Sequence, residues 1–129
     1  MFCVDTDGNV LIGRGNIGYL GLIPTDRDTG EPLEVNDDDI VIFKVVNTTN
    51  KDVITKILDI GDYDDETKAF VATITPEDTV HRFPATLKYD ALYLEHGTNP
   101  FTFIANKRFV ISETYATYLD LASEVTTDG

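Results

Sequence analysis

The sequence predicts an all-β protein, an antiparallel two-layer β-sandwich of immunoglobulin-like architecture, with a short C-terminal helix as an option. Strand-like segments recur at regular spacing with no helices between them, residues 39–46 form a long run of strand-forming side chains, and residues 85–95 form the longest clean alternation in the chain. At 129 residues the chain is most simply one domain. A closed barrel is the alternative, whereas a parallel α/β sheet is excluded because the crossover helices are missing.

The run at residues 39–46 is apolar on both faces. Its side chains alternate in direction, so that Val41, Phe43 and Val45 share one face, opposite Ile40, Ile42, Lys44 and Val46. Branched and aromatic side chains suit a pleated surface with strands on either side. We therefore expect this strand to be central, with its neighbours built around it.

Turn residues divide the rest of the chain into strands. Asp7-Gly8 between apolar runs predicts an N-terminal hairpin, because glycine tolerates the positive φ of a tight turn. Pro76 is suited to begin a single helical turn. The strands predicted after the hairpin are residues 17–23, 39–46, 53–60, 68–75, 85–95, 101–105 and 108–111.

These segments give the single domain three parts: a hairpin at residues 1–12, a sandwich body at residues 13–111 and a tail at residues 112–129. In the tail, apolar side chains recur at helical spacing after Ser112, a residue type that caps helices, and this predicts an amphipathic helix over residues 113–124. The core predicted from the alternation consists of Val41, Phe43, Val45, Phe70, Ile74, Leu87, Tyr89 and Phe109.

Composition argues against several classes of function. The formal net charge is -13, so the chain has no basic excess with which to bind a nucleic acid or an anionic membrane. No apolar run approaches the ~20 residues of a membrane span, and we expect no signal peptide. The single cysteine, Cys3, cannot form an internal disulfide, which fits a reducing compartment, and we expect it to be a buried small hydrophobe.

Two short patterns resemble binding motifs, but each has a structural explanation. Residues 13–18 have GxGxxG spacing, yet the segment after them is a poor helix, whereas a bound pyrophosphate needs a helix N-terminus. The aspartates of residues 5–9, 26–28 and 62–65 offer oxygen ligands without the full EF-hand pattern. We expect a glycine-kinked strand entry and ordinary Asp turns, with incidental calcium binding as the alternative for the turns.

The sequence contains no recognisable catalytic constellation. His81 and His96 are separated and have no cysteine partners, so zinc has no ligand pattern. Neither Ser112 nor Ser123 stands in the glycine-flanked context of a nucleophile elbow. We therefore expect a non-enzyme without a cofactor or a metal site.

Tyrosines are the remaining candidates for a binding surface. Exposed rings could line a contact with a carbohydrate or a protein, whereas half-buried packing within the strands is the alternative. The tyrosines concerned are Tyr19, Tyr63, Tyr93 and Tyr115.

A series of motifs runs through residues 13–111. In order, they are Arg14-Gly15, residues 28–32 with Gly-x-Pro, the Asp-led strand at 39–45, Lys56, the corner at 75–79, Tyr89-Asp90 and Phe109-Val110-Ile111. The Thr-Pro-Glu-Asp-Thr corner before a Tyr-Asp strand is the most specific piece. This order resembles the small β-sandwich domains of phage and prophage tail structures, especially the N-terminal domain of upper baseplate proteins. Two features depart from that pattern. The N-terminal hairpin precedes its usual start, and the tail is predicted to be helical where the longer relatives continue into further domains.

The resemblance implies a virion structural protein of the tail or baseplate, acting as an assembly or adaptor module without an active site. Its partners would be other phage structural proteins, and it would reside in the virion after assembly in the bacterial host cytoplasm. The expected interaction surface comprises Tyr93, Tyr115, Tyr118 and Leu119. A homo-oligomer, formed through the tail or by edge-to-edge strand pairing, is an option. A carbohydrate-binding accessory domain is the alternative function.

Overall fold

Two β-sheets face each other in the computed structural model, which describes residues 1–121. The strands are β1 (Phe2–Val4), β2 (Val10–Gly13), β3 (Gly18–Leu22), β4 (Ile40–Val46), β5 (Asp52–Leu58), β6 (Tyr63–Asp64), β7 (Ala69–Ile74), β8 (Ala85–Glu95) and β9 (Asn99–Ser112). The larger sheet has the order β1-β2-β9-β8-β4-β5, and the smaller has the order β3-β7-β6. The predicted all-β sandwich is confirmed.

One strand pair departs from the antiparallel pattern. β2 runs parallel to β9, with Val10 opposite Phe109 and Ile12 opposite Ile111. This pairing carries the β1–β2 hairpin onto the larger sheet, which is therefore mixed. The other strand pairs within residues 1–121 are antiparallel.

The core lies between the two sheets, and all eight residues predicted for it are buried. Phe43 packs against Tyr89 and Phe109, with ring centroids 5.3 and 6.2 Å away. Phe70 of the smaller sheet meets Tyr93 of the larger sheet edge to face at 6.3 Å. Such aromatic pairs add about 0.5–1.5 kcal/mol each beyond the burial of their area. The Phe70–Tyr93 pair joins the two layers, whereas the pairs of Phe43 lie within the larger sheet.

β4 lies second from the edge of the larger sheet, between β5 and β8. It is paired on both sides, as its composition predicts, but it is not at the centre. Only its face with Val41, Phe43 and Val45 is fully buried. The other face points away from the smaller sheet and remains partly exposed.

Two segments that were predicted as separate strands form one long strand that contains a β-bulge. Residues 101–105 and 108–111 both belong to β9, in which Asn106 adopts a positive φ of 58°. The backbone N–H of Asn106 donates a 2.7 Å hydrogen bond to the carboxylate of Asp90 on β8. The strand register shifts at this point. Bulges of this kind leave one residue unpaired without ending the strand.

Short helical segments occur at two places in the body. A 3₁₀ helix spans Ile60–Asp62, and α1 spans Pro76–Val80, as expected from the proline. The Asp78 carboxylate accepts a 2.8 Å hydrogen bond from the Thr75 N–H. It also forms an ion pair with Lys56 at 2.9 Å. This links the start of α1 to β5. No helix within residues 1–121 has the length and apolar content needed to cross a membrane.

The tail differs from its prediction. Residues 113–118 are not helical, and helical conformation begins at Leu119, so the expected start at Glu113 is wrong. Ser112 ends β9 instead of capping a helix. Residues 113–114 are held by Arg14, which bonds the Glu113 carboxylate and the Thr114 carbonyl. The rest of the predicted helix, residues 122–124, lies outside the described residues.

Cys3 corrects a second expectation. It is exposed on β1, whereas we expected a buried small hydrophobe. β1 forms the edge of the larger sheet, beyond β2. Cys3 is opposite Leu11 of β2. The neighbours of Leu11, Val10 and Ile12, are buried and point towards the smaller sheet, so Leu11 and Cys3 point the other way. The cysteine therefore belongs to the side of the sheet that faces away from the core.

Candidate interaction surface

The outer face of the larger sheet carries a cluster of aliphatic side chains, here called the apolar patch. Strand pairing brings its members together, since Ile42 of β4 is opposite both Ile57 of β5 and Leu92 of β8. In the next row Ile40 is opposite Leu94. The apolar patch therefore consists of Ile40, Ile42, Ile57, Leu92 and Leu94.

The apolar patch is not part of the core. Ile57 is 68% exposed, and the other four members are partly exposed. None of the five packs against the buried cluster between the sheets. Single exposed aliphatic residues are ordinary on protein surfaces, but a contiguous group is typical of an interaction site.

Charged side chains border the apolar patch on the same face. Lys44 follows Ile42 on β4 and forms an ion pair with Asp52 at 3.3 Å. It is opposite Asp90, and in the next row of this face Lys88 is opposite Arg108. These three cations and two carboxylates make this area far less acidic than a chain of net charge -13 would suggest.

Tyr93 cannot belong to a surface. It is 1% exposed, and its hydroxyl donates a hydrogen bond to the buried carboxylate of Asp39. The expectation that Tyr93 lies on the interaction surface is therefore wrong. The alternation along β8 held the relevant signal, because Tyr93 shares the face of Leu87 and Tyr89.

The other three predicted surface residues are exposed, but they lie after β9 and not on the sheet. Tyr115 is 93% exposed, and Tyr118 and Leu119 are about half as exposed. The Tyr118 hydroxyl hydrogen-bonds the Glu77 carboxylate of α1. The structure thus places Tyr118 beside α1, and the role of these three residues in binding stays a prediction.

Asp39 organises a polar clasp at the end of the sandwich. Its carboxylate accepts hydrogen bonds from the backbone N–H groups of Asn36 and His96, both at 2.8 Å, and from the Tyr93 hydroxyl. Burial raises the pKa of Asp39, but these donors outweigh it and hold the pKa below its ordinary range. Burial and the Asp39 contact raise the pKa of Tyr93. The clasp joins the loop before β4 to the β8–β9 turn.

His96 sits at the tip of that turn in a left-handed conformation. Its φ is 53° and that of Gly97 is 71°, and the pairing of Glu95 with Asn99 leaves a three-residue loop between the strands. Its Nδ1 atom lies 3.0 Å from a carboxylate oxygen of Asp38, and this hydrogen bond raises the pKa of His96. Sequence reasoning missed the pairing because the two residues are 58 positions apart.

Asp38, Asp39 and His96 offer three ligand atoms within 4.8 Å of one another. A divalent metal would suit such a set in number. Both oxygens of Asp39, however, already accept hydrogen bonds from the protein, and Asp38 is paired with His96. The arrangement is therefore best explained as a structural clasp.

The aspartate-rich turns use their carboxylates locally. Asp5 accepts hydrogen bonds from the N–H groups of Asp7 and Asn9, both at 2.9 Å. Asp26 does the same for Asp28 and Thr29, at 2.8 and 3.1 Å. A hydrogen bond from the Asn9 side chain lowers the pKa of Asp5. A hydrogen bond from the Asp28 backbone N–H lowers the pKa of Asp26. These are Asp turns, as expected from the preference of aspartate for such positions.

The GxGxxG segment leads into a strand. Gly18 begins β3, so no helix N-terminus follows the glycines. Gly15 has a φ of 80°, and its N–H donates a 2.8 Å hydrogen bond to the Thr79 hydroxyl of α1. Gly18 lies against the ring of Phe2, which leaves no room for a Cβ atom. The glycines thus allow close packing at the entry to β3.

A groove of about 590 Å³ opens between the loop at residues 25–33 and β9. Phe101, 38% exposed, lies in its wall beside Thr102 and Phe103. One side of the Phe101 ring packs on Tyr93, with centroids 5.2 Å apart. Asp26, Arg27 and Asp28 line the opposite wall. An aromatic ring near charged side chains has the chemistry to hold a sugar.

Comparisons of the chain with protein-family models, with characterised proteins and with solved structures gave no match.

Proposed function

We propose that the chain is a virion structural protein of a phage or prophage tail or baseplate, where it acts as an assembly or adaptor module. The observation that carries the proposal is the apolar patch, a set of aliphatic side chains on the outer face of a β-sandwich. The order of motifs through residues 13–111 supports it. On this proposal the chain is not an enzyme, its partners are other virion proteins, and it joins the particle in the host cytoplasm.

The polar residues support a structural role for the same chain. The aspartates of the turns cap backbone N–H groups, and Asp39 holds the clasp. Arg14 bonds the Val80 carbonyl at 2.7 Å and the Glu113 carboxylate at 3.1 Å, joining distant segments. These aspartates and Arg14 thus stabilise loops and connections.

The test is incorporation into particles. Particles released from the host bacterium are purified on a density gradient, and the chain is detected by mass spectrometry. We expect it to migrate with the particles, and Ile57→Lys to reduce its incorporation at least tenfold. Tyr19→Lys is the matched control, because Tyr19 is 63% exposed on a strand of the other sheet. A chain found only in the particle-free fraction would refute the proposal.

Carbohydrate binding is the second candidate, and the groove beside Phe101 is the observation that favours it. On a glycan array this function predicts reproducible sugar binding that Phe101→Ala removes and that Phe83→Ala, an exposed aromatic outside the groove, leaves intact. Tyr93 is unsuitable as a test residue because its ring belongs to the core. Array binding unaffected by Phe101→Ala would place any sugar site elsewhere.

A further inference from the structure

We propose that the groove between β9 and the loop at residues 25–33 binds a basic segment of another protein, with a lysine or arginine side chain over the Phe101 ring. Phe101 is opposite Tyr93, on the side of the larger sheet away from the apolar patch. Binding in the groove is therefore separate from the proposed assembly surface, and it does not depend on a role in a virion.

The floor of the groove is aromatic. The register of β9 against β8 shifts between Ala91 and Leu92, so that Phe103 has no residue opposite it. Bulges of this kind re-aim a side chain. Phe101 and Phe103 both lie against the buried Tyr93 ring, with centroids 5.2 and 6.4 Å away. The core thus holds both rings in place, while Phe101 remains 38% exposed to the groove.

The opposite wall is a loop whose two arms are bonded to each other. The Asp26 N–H donates a 2.8 Å hydrogen bond to the Glu31 carbonyl, and the Gly30 N–H donates one of 2.9 Å to the Asp26 carbonyl. Thr25 and Pro32 form an isolated β-bridge. The loop keeps this shape without a ligand, so the groove is preformed.

The segment that contains this wall carries much of the negative charge of the chain. Residues 25–39 include seven carboxylates and one cation, Arg27, a net charge of -6 out of -13. Six of the seven carboxylate residues are exposed or partly exposed, and the seventh is Asp39 of the clasp. Asp28 and Glu31 take part in none of the ion pairs within residues 1–121. A cation is attracted to this field, whereas a neutral sugar is not.

A second depression of about 450 Å³ adjoins the groove, since Leu33 lines both. It repeats the combination of a ring and carboxylates, with Tyr63 beside Glu34 and Asp65. Its cation, Lys68, is paired with Asp65 at 3.1 Å. The surface therefore suits a chain segment with two basic side chains, one for each ring.

Lysine and arginine side chains match both components of the groove. Their aliphatic stems pack on apolar surface such as Leu33 and Phe103 while the charged head stays in water. The head is attracted to the face of an aromatic ring and to nearby carboxylates. A second copy of this chain is a poor occupant, because it has 10 basic residues against 23 acidic ones. The partner is therefore a different protein.

The test is an NMR titration of the isotope-labelled full chain with hexalysine, in about 0.15 M salt, where charges more than about 8 Å apart are largely screened. We expect the amide signals of residues 25–34 and 99–103 to shift and those of the turn at 47–51 to stay. The same peptide with acetylated lysines is the control, because it keeps the stems and lacks the charge. Shifts that spread over the acidic surface and omit the groove would overturn the proposal.

Paired charge variants separate a site from general attraction to an acidic protein. Asp28→Asn combined with Glu31→Gln should weaken hexalysine binding at least threefold. Asp7→Asn combined with Asp52→Asn removes the same charge from two turns outside the groove and should leave the affinity unchanged. Equal weakening by the two pairs would mean that only the net charge matters.

Two further variants change the groove in opposite directions. Arg27→Gln removes its cation and should tighten binding about twofold, whereas Lys51→Gln, outside the groove, should have no effect. Phe101→Leu keeps an apolar side chain without a ring face and should weaken binding about threefold, unlike Phe83→Leu. Melting temperatures near that of the wild type confirm that each variant is folded. Unchanged affinity in Phe101→Leu would refute contact with the ring.

Other ligands and the particle assay decide between the remaining alternatives. Spermine that binds the groove more tightly than hexalysine would assign it to a small polyamine instead of a protein. Sugar binding that Phe101→Ala removes, without any response to hexalysine, would assign it to a carbohydrate. A chain that enters particles through Ile57 but does not bind hexalysine would refute this inference and leave the assembly role standing.

Discussion

The two faces of β4 have nearly the same composition and opposite environments. Val41 and Val45 on the inner face are fully buried, whereas Ile40 and Ile42 on the outer face remain partly exposed. The difference comes from the sheets, because a three-stranded sheet packs on one side of a six-stranded sheet. Hydrophobic patterning therefore shows which faces of a strand are apolar, but it does not show which element of the fold packs against each face.

The largest expected effect on stability comes from truncating a side chain on the inner face, and the matching truncation on the outer face tests the comparison directly. Phe43→Ala should lower the free energy of unfolding by about 3–5 kcal/mol, since it leaves a cavity among the rings of Tyr89 and Phe109. Ile42→Ala should cost about 1 kcal/mol or less at concentrations where the monomer dominates. Urea unfolding followed by circular dichroism measures both. Equal losses would mean that the outer face is covered within the monomer.

The clasp at the end of the sandwich should give the next largest effect. Asp39→Ala removes the acceptor for the Tyr93 hydroxyl and two backbone N–H groups, and should cost about 2–3 kcal/mol. Asp39→Asn is the matched control, because it retains one oxygen acceptor. Its loss should be smaller in urea unfolding at pH 7.

The same carboxylate gives a pH dependence of defined sign. The pKa of Asp39 is lowered in the folded protein, so its stabilisation is present above the unfolded pKa of about 3.9 and is lost as the pH falls through the folded value. Unfolding free energies of the wild type should therefore fall more steeply below about pH 4 than those of Asp39→Asn. Parallel acid profiles would contradict the prediction.

His96 should give the smallest effect, since its contact with Asp38 is exposed. Its pKa is raised, so the stabilisation is present below the unfolded pKa of about 6.5 and is lost as the pH rises through the folded value. NMR titration of the imidazole ring should show a pKa above the ordinary value, and Asp38→Asn should lower it. An unchanged titration in Asp38→Asn would show that the pair does not form in solution.

Local features of the structure were accessible from the sequence because they depend on neighbouring residues. Alternation along β8 predicts which side chains face the core, and Pro76 predicts the start of α1. The turn at His96-Gly97 and the Asp turns follow from residue types that tolerate positive φ or bond the nearby backbone. The predicted core of eight residues is confirmed for the same reason.

Features that depend on distant contacts were missed. The parallel pairing of β2 with β9 joins segments about 100 residues apart, and no local pattern specifies it. The helix predicted from Glu113 has the right spacing, but Arg14 binds Glu113 and Thr114 in a non-helical segment. Tyr93 has a hydroxyl that suggests a surface role, whereas a buried acceptor, Asp39, allows it to remain in the core.

The sequence by itself determined that the chain forms strands and which side chains share a face, because side-chain direction along a strand alternates residue by residue. Only the tertiary structure decided that the face with Phe43 is covered and the face with Ile42 is open. It also brought Asp38 and His96 together and placed Ile57 beside Ile42. Covering a face depends on the order of the strands and the size of the opposing sheet, and both arise from pairing between residues far apart in the chain.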